Sequence, residues 1–428
     1  MSGWSVGIDF GTSNSAAAVP GATSGAPARV VEIDPAGDDV RLLRSVVFFP
    51  EESAEVLVGG EAIRRYLVEG EGRFLQSVKT FLPSNTFTRT EIRRRLFGLE
   101  ELVAIVLRRL REQVEHALGG RIEHAVFGRP AVFNEDAARD RLAETRLARA
   151  AELAGFPKPT FVIEPIAAAL RYEESLDRDE VVLVGDFGAG TSDFTLMRLG
   201  PSQRGFWDRR GDVLASSGVY AGGDRFDAAI VEHRLLARFG AGSTYQSLLK
   251  RLPIPGWMTR KLLAWHELAL LRERSTMEFL RAARKSSDAP RAVENLVTLA
   301  EENLGYRLYR AVERAKRELS DGDRATVSFH ESGIDLEEEV TRAEFEAWSA
   351  PLRAELSAAV DRALAKAGDV TPDAVFLTGG TSRVPSVRRL FVERFGEARL
   401  REGDAFTSVA AGLGRAAGLA RGESGEGS

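Results

Sequence analysis

The stretch VVLVGDFGAGTSDFTLM, residues 181–197, decides how this chain is read. An aliphatic run leads into Asp186, a glycine-dense turn follows, and an alternating Phe-Thr-Leu-Met run leaves it, which predicts a strand, a tight loop and a second strand. Gly188 and Gly190 let the loop backbone take positive φ and approach a ligand closely. Thr191 and Ser192 add hydroxyls, and Asp193 adds a carboxylate beside exposed amides. Such a tip suits a polyphosphate, although an ordinary Gly-rich turn carries the same letters.

The device recurs at 4–19, WSVGIDFGTSNSAAAV, where Asp9 ends a strand, Gly11, Thr12 and Ser13 form the turn, and Asn14 opens the next strand. Two such hairpins with aspartate in matched positions point to phosphate more strongly than either alone. No G-x-x-x-x-G-K-[ST] occurs, and the glycines at 188 and 190 lack the third of a dinucleotide fingerprint, so neither a P-loop nor a Rossmann site fits. The D-F-G triplets lack the H-R-D loop of a protein kinase.

A chain of 428 residues with 44% apolar content can bury sizeable cores in two or more domains. A net charge of -5 argues against a nucleic-acid coat, and the absence of cysteine removes disulfides, thiolate chemistry and Cys-based zinc sites. The five histidines lack metal-ligand spacing, so transition-metal chemistry is not expected. No leader pattern and no bilayer-length apolar run is present, and the expected location is cytoplasmic, with no membrane partner.

The remaining pattern is α/β. Strands are expected near 29–33, 45–50, 123–133, 160–163, 212–220, 325–330 and 334–341, and helices over 60–70, 99–118, 135–155, 165–174, 303–320, 343–367 and 407–420, the last rich in small residues. Residues 240–290 read as an inserted helical module, with segments over 262–274 and 277–285. Glu164 stands at a strand-to-helix corner, where it faces a cation's water shell or simply favours the helix dipole. Gly222 and Gly223 precede a helix near Phe226, another place for amides to meet an anion. On the 303–320 helix, Glu313, Lys316, Arg317 and Ser320 share a polar stripe that spacing alone reads as a solvated face. In DAVFLTGGTSRVPSV, Gly379, Gly380, Thr381 and Arg383 lie in a strand-loop-helix turn of the kind that binds ligands at a sheet's carboxyl end.

In this order, GIDFGTSNS, IEPIAAALRYE, VGDFGAGTSDF, ERAKRELS and FLTGGTSRVPSV resemble the two phosphate motifs, connecting helix, adenine-side helix and adenosine motif of the seventy-kilodalton heat-shock (DnaK-type) chaperones. The resemblance covers residues 4–421 and is strongest to short YegD-type members, which share the GRP piece at 128–130. It implies an actin-like ATPase fold of two ribonuclease-H-like lobes with ATP and magnesium in the cleft between them. Lobe I would be 1–180, with an outer subdomain at about 39–115. Lobe II would be 181–421, with an outer subdomain at about 224–347, and 422–428 would be a disordered tail.

By the same resemblance, Asp9 and Asp186 would hold the magnesium water shell, Asp186 would orient the attacking water, and Glu164 would make an outer contact. Thr12, Ser13, Thr191 and the amides near Gly11, Gly188 and Gly190 would cradle phosphates. Glu313, Lys316 and Ser320 would contact adenosine, with Arg317 and Arg383 on the faces of adenine. Three departures stand out: the linker and β-rich peptide-binding domain of the family are expected to be missing, Phe406 replaces an expected aspartate with Asp404 two residues earlier, and Ile63 replaces the lysine that assists phosphoryl transfer. Lys79, in a segment resembling one of the YegD-type proteins, is the candidate substitute. The expected function is a slowly hydrolysing, chaperone-like ATPase switch with a protein client or co-chaperone-like partner. The rivals are a nucleotide-sensing scaffold without useful hydrolysis and, on weaker grounds, a small-molecule kinase.

Overall fold

The computed structural model describes residues 3–23, 26–69, 71–134, 136–173, 175–204, 209–402 and 407–425. Two sheets repeat one plan. In the first, Trp4–Phe10 runs antiparallel to Asn14–Val19, which pairs in turn with Arg29–Val30 and with Leu43–Arg44. Ile122–Arg129 lies parallel on the other side of Trp4–Phe10, followed by Thr160–Ile163, also parallel. In the second, Glu180–Phe187, Ser192–Leu199 and Val213–Val219 form the antiparallel meander, and Ala374–Thr378 and Leu400–Glu402 add the parallel strands. Glu180–Phe187 is aliphatic on both faces, with Val182, Leu183 and Val184 fully buried, as a sheet covered by helices requires, while Trp4–Phe10 buries Val6 and Ile8 on one face and carries Ser5, Gly7 and Asp9 on the other.

Two helices share one core with both sheets. Ile166, Ala167, Ala168, Ala169 and Leu170 of helix Glu164–Glu173 and Val409, Leu413, Ala416 and Ala417 of helix Ser408–Gly425 cluster with Val126 and Val162 of the first sheet. The same cluster takes in Val182, Val184, Met197 and Phe376 of the second. The approach is close because the residues are small. A Cβ on Gly412 would lie 1.8 Å from the Ala167 carbonyl oxygen, and one on Gly7 would lie 2.1 Å from the Leu413 carbonyl carbon.

By its contacts the chain divides into two units, one of residues 1–220, 356–382 and 387–428 and one of 221–355 and 383–386. The first holds both sheets, the two helices between them, helices Gly59–Glu69, Leu99–Leu118 and Ala137–Leu153, and the small sheet around Val46–Pro50. The second holds helix Gly223–Ile230, helices Arg274–Ser286 and Pro290–Glu301, helix Gly305–Asp321 and the hairpin of Arg324–Glu331 with Ile334–Thr341.

Several expectations change. Residues 240–290 include a β-hairpin, Thr244–Ser247 with Lys250–Pro253, and the first of the two expected helical segments is a run of 3-10 turns, Lys261–Leu263 and Trp265–Arg272. The helix expected over 343–367 is two, Arg342–Trp348 and Ala350–Lys366. Ser349 breaks it: its buried hydroxyl donates to the Phe345 carbonyl at 2.7 Å, and Pro351 has no N–H to continue the ladder. The last helix extends to Gly425, and residues 426–428 of the expected tail lie outside the described residues. Among the described residues no helix is long and apolar enough to cross a membrane.

If the Gly412 contact holds the two sheets together, Gly412→Ala should destabilise the protein by about 2 kcal/mol or more, the cost of overpacking a closed interface. Gly256→Ala, at a position where an added Cβ meets nothing within 4 Å, should leave the urea midpoint unchanged. Equal midpoints for the two variants would show that the crossing can relax.

Candidate functional site

The first hairpin closes on a glycine that tolerates no side chain; in the second, a Cβ on Gly188 would lie 3.1 Å from the Thr191 carbonyl oxygen and one on Gly190 would meet nothing within 4 Å, and neither glycine takes the positive φ expected of it. At Gly11 an added Cβ would sit 2.1 Å from the Asn14 carbonyl oxygen. Ser45 fastens this tip: its hydroxyl donates to the Gly11 carbonyl at 2.8 Å, its amide donates to the Ser13 carbonyl at 2.9 Å, and it meets the Ser15 hydroxyl at 2.9 Å. In the second hairpin Asp186 and Asp193 are direct cross-strand partners, and the Thr191 hydroxyl donates to Asp193 at 3.3 Å. Gly379, at φ 88°, brings the end of strand Ala374–Thr378 so close that a Cβ would lie 2.2 Å from the Phe187 carbonyl oxygen.

Carboxylates from both hairpins surround one lysine. Lys79 stands in the 3-10 turn Val78–Phe81 and donates to Glu164 at 2.9 Å, both side chains nearly buried. Arg146, itself buried, braces the chain just beyond by donating to the carbonyls of Leu82 and Ser84 at 2.9 and 2.7 Å. Glu164 begins its helix in space that Gly128 leaves open, since a Cβ there would be 3.0 Å from the Glu164 Cγ. Of the corner acid's two readings, the structure gives it a third occupation, as the partner of Lys79.

The electrostatics follow from this crowding. Asp9, Asp186 and Asp193 are touched by solvent yet packed about by protein. Burial, then the charge of Glu164, pushes Asp9 up to about 7 against the pull of Lys79. Asp193 is pushed to about 7 by burial and Glu164, with the Thr191 hydrogen bond and Lys79 opposing. Asp186 is held well above the ordinary carboxylate range by burial, Glu164, Asp193 and Asp9. For Lys79, burial alone would lower the value, but Glu164, Asp9 and Asp186 outweigh it and hold the ammonium above its ordinary value. With all groups ionised, four carboxylates against one ammonium leave three negative charges, a field that favours added cations. Among the described residues no three His, Cys, Asp or Glu side chains stand close enough to hold a metal directly, so this donor set fits a hydrated cation held through its waters.

The expected adenosine residues lie in the second unit. Lys316, on helix Gly305–Asp321, donates to Asp227 at 2.7 Å and to the Gly223 carbonyl at 3.2 Å, so the stripe read as a solvated face is tied at this point to the helix start at Gly222 and Gly223. Burial pushes Asp227 to about 7, Lys316 lowers it and Glu313 raises it. Glu313 lies 3.5 Å from Arg310, while Arg317 and Arg383 are exposed. Sequence reading took Asp193 only as a carboxylate of the hairpin tip and gave Asp227 no role. Asp193 was visible as the acid facing Asp186 across the hairpin, whereas Asp227 gains its partner only through tertiary packing. Ile63 is half-buried, and the neighbouring Arg64 and Arg65 pair with Glu61 and Glu69 of their own helix, which leaves Lys79 as the cation among the site carboxylates. Asp404 and Phe406 lie outside the described residues.

The family model for Hsp70 protein matches residues 82–247 and 293–426. The chain belongs to the Hsp70 family. It is 30% identical to the chaperone protein DnaK of Thermus thermophilus over 98% of this chain and 61% of the relative. It is 29% identical to DnaK of Thermosipho melanesiensis, over 98% of this chain and 60% of that protein, and 29% to DnaK of Thermotoga neapolitana, over 92% and 55%. The chain thus spans about three fifths of the length of the first two curated relatives. Hsp70 membership carries the two-lobed actin-like ATPase fold, and the repeated sheet order is that fold's internal duplication.

Carboxyls whose folded value is raised contribute stability that is present below their unfolded value and lost as pH climbs through the folded one. For Asp9 and Asp193 that window runs from about 4 to about 7. The ligand-free protein should therefore melt lower at pH 8 than at pH 6. Asp193→Asn should raise Tm at pH 8, and the gain should shrink through pH 6 and 5 and vanish below about pH 4. A gain independent of pH would locate the effect elsewhere.

Proposed function

We propose that these residues bind ATP with Mg2+ and hydrolyse it slowly, as a chaperone-like cytoplasmic switch whose state a protein client or co-chaperone-like partner reads. The observation that carries this is the Lys79–Glu164 pair set among Asp9, Asp186 and Asp193, acids drawn from both Gly-rich hairpins. Lobe I at 1–180 and lobe II at 181–421 are part of the same proposal.

Asp9 and Asp186 hold the water shell of the cation, with Glu164 behind them. Bound there, Mg2+ would neutralise charge on the phosphate oxygens. Thr12, Ser13, Asn14, Thr191 and the amides around Gly11, Gly188 and Gly190 cradle the phosphates. Lys79 presents its ammonium to the γ-phosphate, where charge gathers during transfer. Asp186, with its raised proton affinity, orients a water: the water oxygen bonds to the γ-phosphorus, the bond to the bridging oxygen of ADP breaks, and the water's proton passes to the carboxylate. Glu313, Lys316 and Ser320, with Gly222, Gly223, Gly379, Gly380 and Thr381, take the adenosine, and Arg317 and Arg383 lie against adenine.

Ile63 supports a second reading, a nucleotide-sensing scaffold without useful hydrolysis. Phosphate release measured beside nucleotide affinity separates the two. Lys79→Ala should lower turnover about tenfold or more, equivalent to roughly 1.4 kcal/mol of barrier, with ADP affinity nearly unchanged. Parental turnover in that variant would reduce Lys79 to a counter-ion for Glu164, and a parent with no turnover above background would favour the scaffold. A folded Gly380→Trp protein should lose ATP binding, and unchanged affinity would sink the nucleotide reading.

A further inference from the structure

Arg44 belongs to none of the motifs above. It is the direct cross-strand partner of Asn14, at the tip of the first hairpin. Strand alternation fixes its face. Asp9 pairs with Ala16 and Gly7 with Ala18, so Asn14, Ala16 and Ala18 lie on the same side of the sheet as Asp9, and Arg44 opposite Asn14 joins them. Leu43, one residue earlier, points the other way into the core beneath the first sheet. Arg44 is thus a cation placed on the Asp9 face of the phosphate hairpin.

Its guanidinium is only partly used. Nη1 donates to the Asn14 side-chain oxygen at 3.2 Å. Nε is shut off from water, and among the described residues neither Nε nor Nη2 has a hydrogen-bond partner. An unmatched buried donor costs about 1–3 kcal/mol. The Nε and Nη2 edge is also one of the two parallel-donor edges with which a guanidinium grips an oxyanion bidentately, but with Nε closed to water an oxyanion meets it only once the side chain turns that edge outward. The guanidinium is therefore anchored at the hairpin tip through Asn14 and short of an acceptor, which it gains by turning outward.

We propose that Arg44 binds the terminal phosphoryl group of a nucleoside triphosphate and makes the site prefer ATP over ADP. This rests on the nucleotide reading above. Charge decides for the terminal group: among the described residues Lys79 is the one cation set among Asp9, Glu164, Asp186 and Asp193, too little for the dense charge of a γ-phosphate, and Arg44 supplies the second. A bidentate grip on that group is lost when orthophosphate leaves.

The test is equilibrium binding of ATP and ADP, each with Mg2+, to the full chain and to Arg44→Gln and Arg44→Lys. Arg44→Gln should bind ATP at least tenfold more weakly and ADP within twofold of the parent, and Arg44→Lys, which keeps the charge but loses the fork, should fall between. Unfolding curves matching the parent's would show that neither variant acts through folding. ATP affinity within twofold of the parent in Arg44→Gln, or equal losses for ATP and ADP, would overturn the assignment. A parent that binds neither nucleotide would instead overturn the reading on which it rests.

Discussion

The site depends on one steric constraint, the contact of helix Ser408–Gly425 with helix Glu164–Glu173 through Gly412 and Ala167. No Cβ fits between them, because it would lie 1.8 Å from a carbonyl oxygen. At that separation the alanine-rich faces of both helices fill a single layer between the two sheets, and the apolar residues of Glu180–Phe187 and Ile122–Arg129 meet through it. A larger residue would push the layers apart by more than a side-chain rotation can absorb. Asp9 ends a strand of one sheet and Asp186 a strand of the other, so the spacing of the helices sets the spacing of the acids.

Gathering acids in this way is unfavourable for the protein alone. Removing a charged pair from water costs several kcal/mol for each ion, and the Lys79–Glu164 bond returns that only because its geometry is good and its surroundings are charged. The remaining acids answer by holding protons, as the raised values of Asp9, Asp186 and Asp193 show. A site strained toward protonation has free energy available to a ligand that brings cations and takes those protons away. Stability without ligand is given up for affinity with it, a trade common where binding needs charges that folding does not.

Much of this was readable in the letters. The hairpins announce themselves because a glycine cluster between two apolar runs allows few other backbones, and the small-residue helix was visible as composition before its crossing partner was known. Leu99–Leu118 and Gly305–Asp321 follow from long apolar periods. Where sequence reading failed, the cause was local. The hairpin at 244–253 turns on Leu248 and Leu249, with Leu248 at φ 46°, and an apolar turn carries none of the glycine or asparagine signals that mark such corners. Lys79 lies in a single 3-10 turn too short to have a period, so only family resemblance pointed to it. Asp227 and Arg44 acquire their partners across packed elements, and nothing in their own neighbourhoods distinguishes them from surface charges.

The central claim is that acids from both hairpins form one cation-assisted phosphate site. The most direct measurement is the cation dependence of ATP binding to the full chain, titrated calorimetrically with Mg2+ and again with the metal chelated. The account predicts one ATP per chain and an affinity that falls at least tenfold when Mg2+ is removed. ATP that binds equally well without the cation, or does not bind at all, would contradict it.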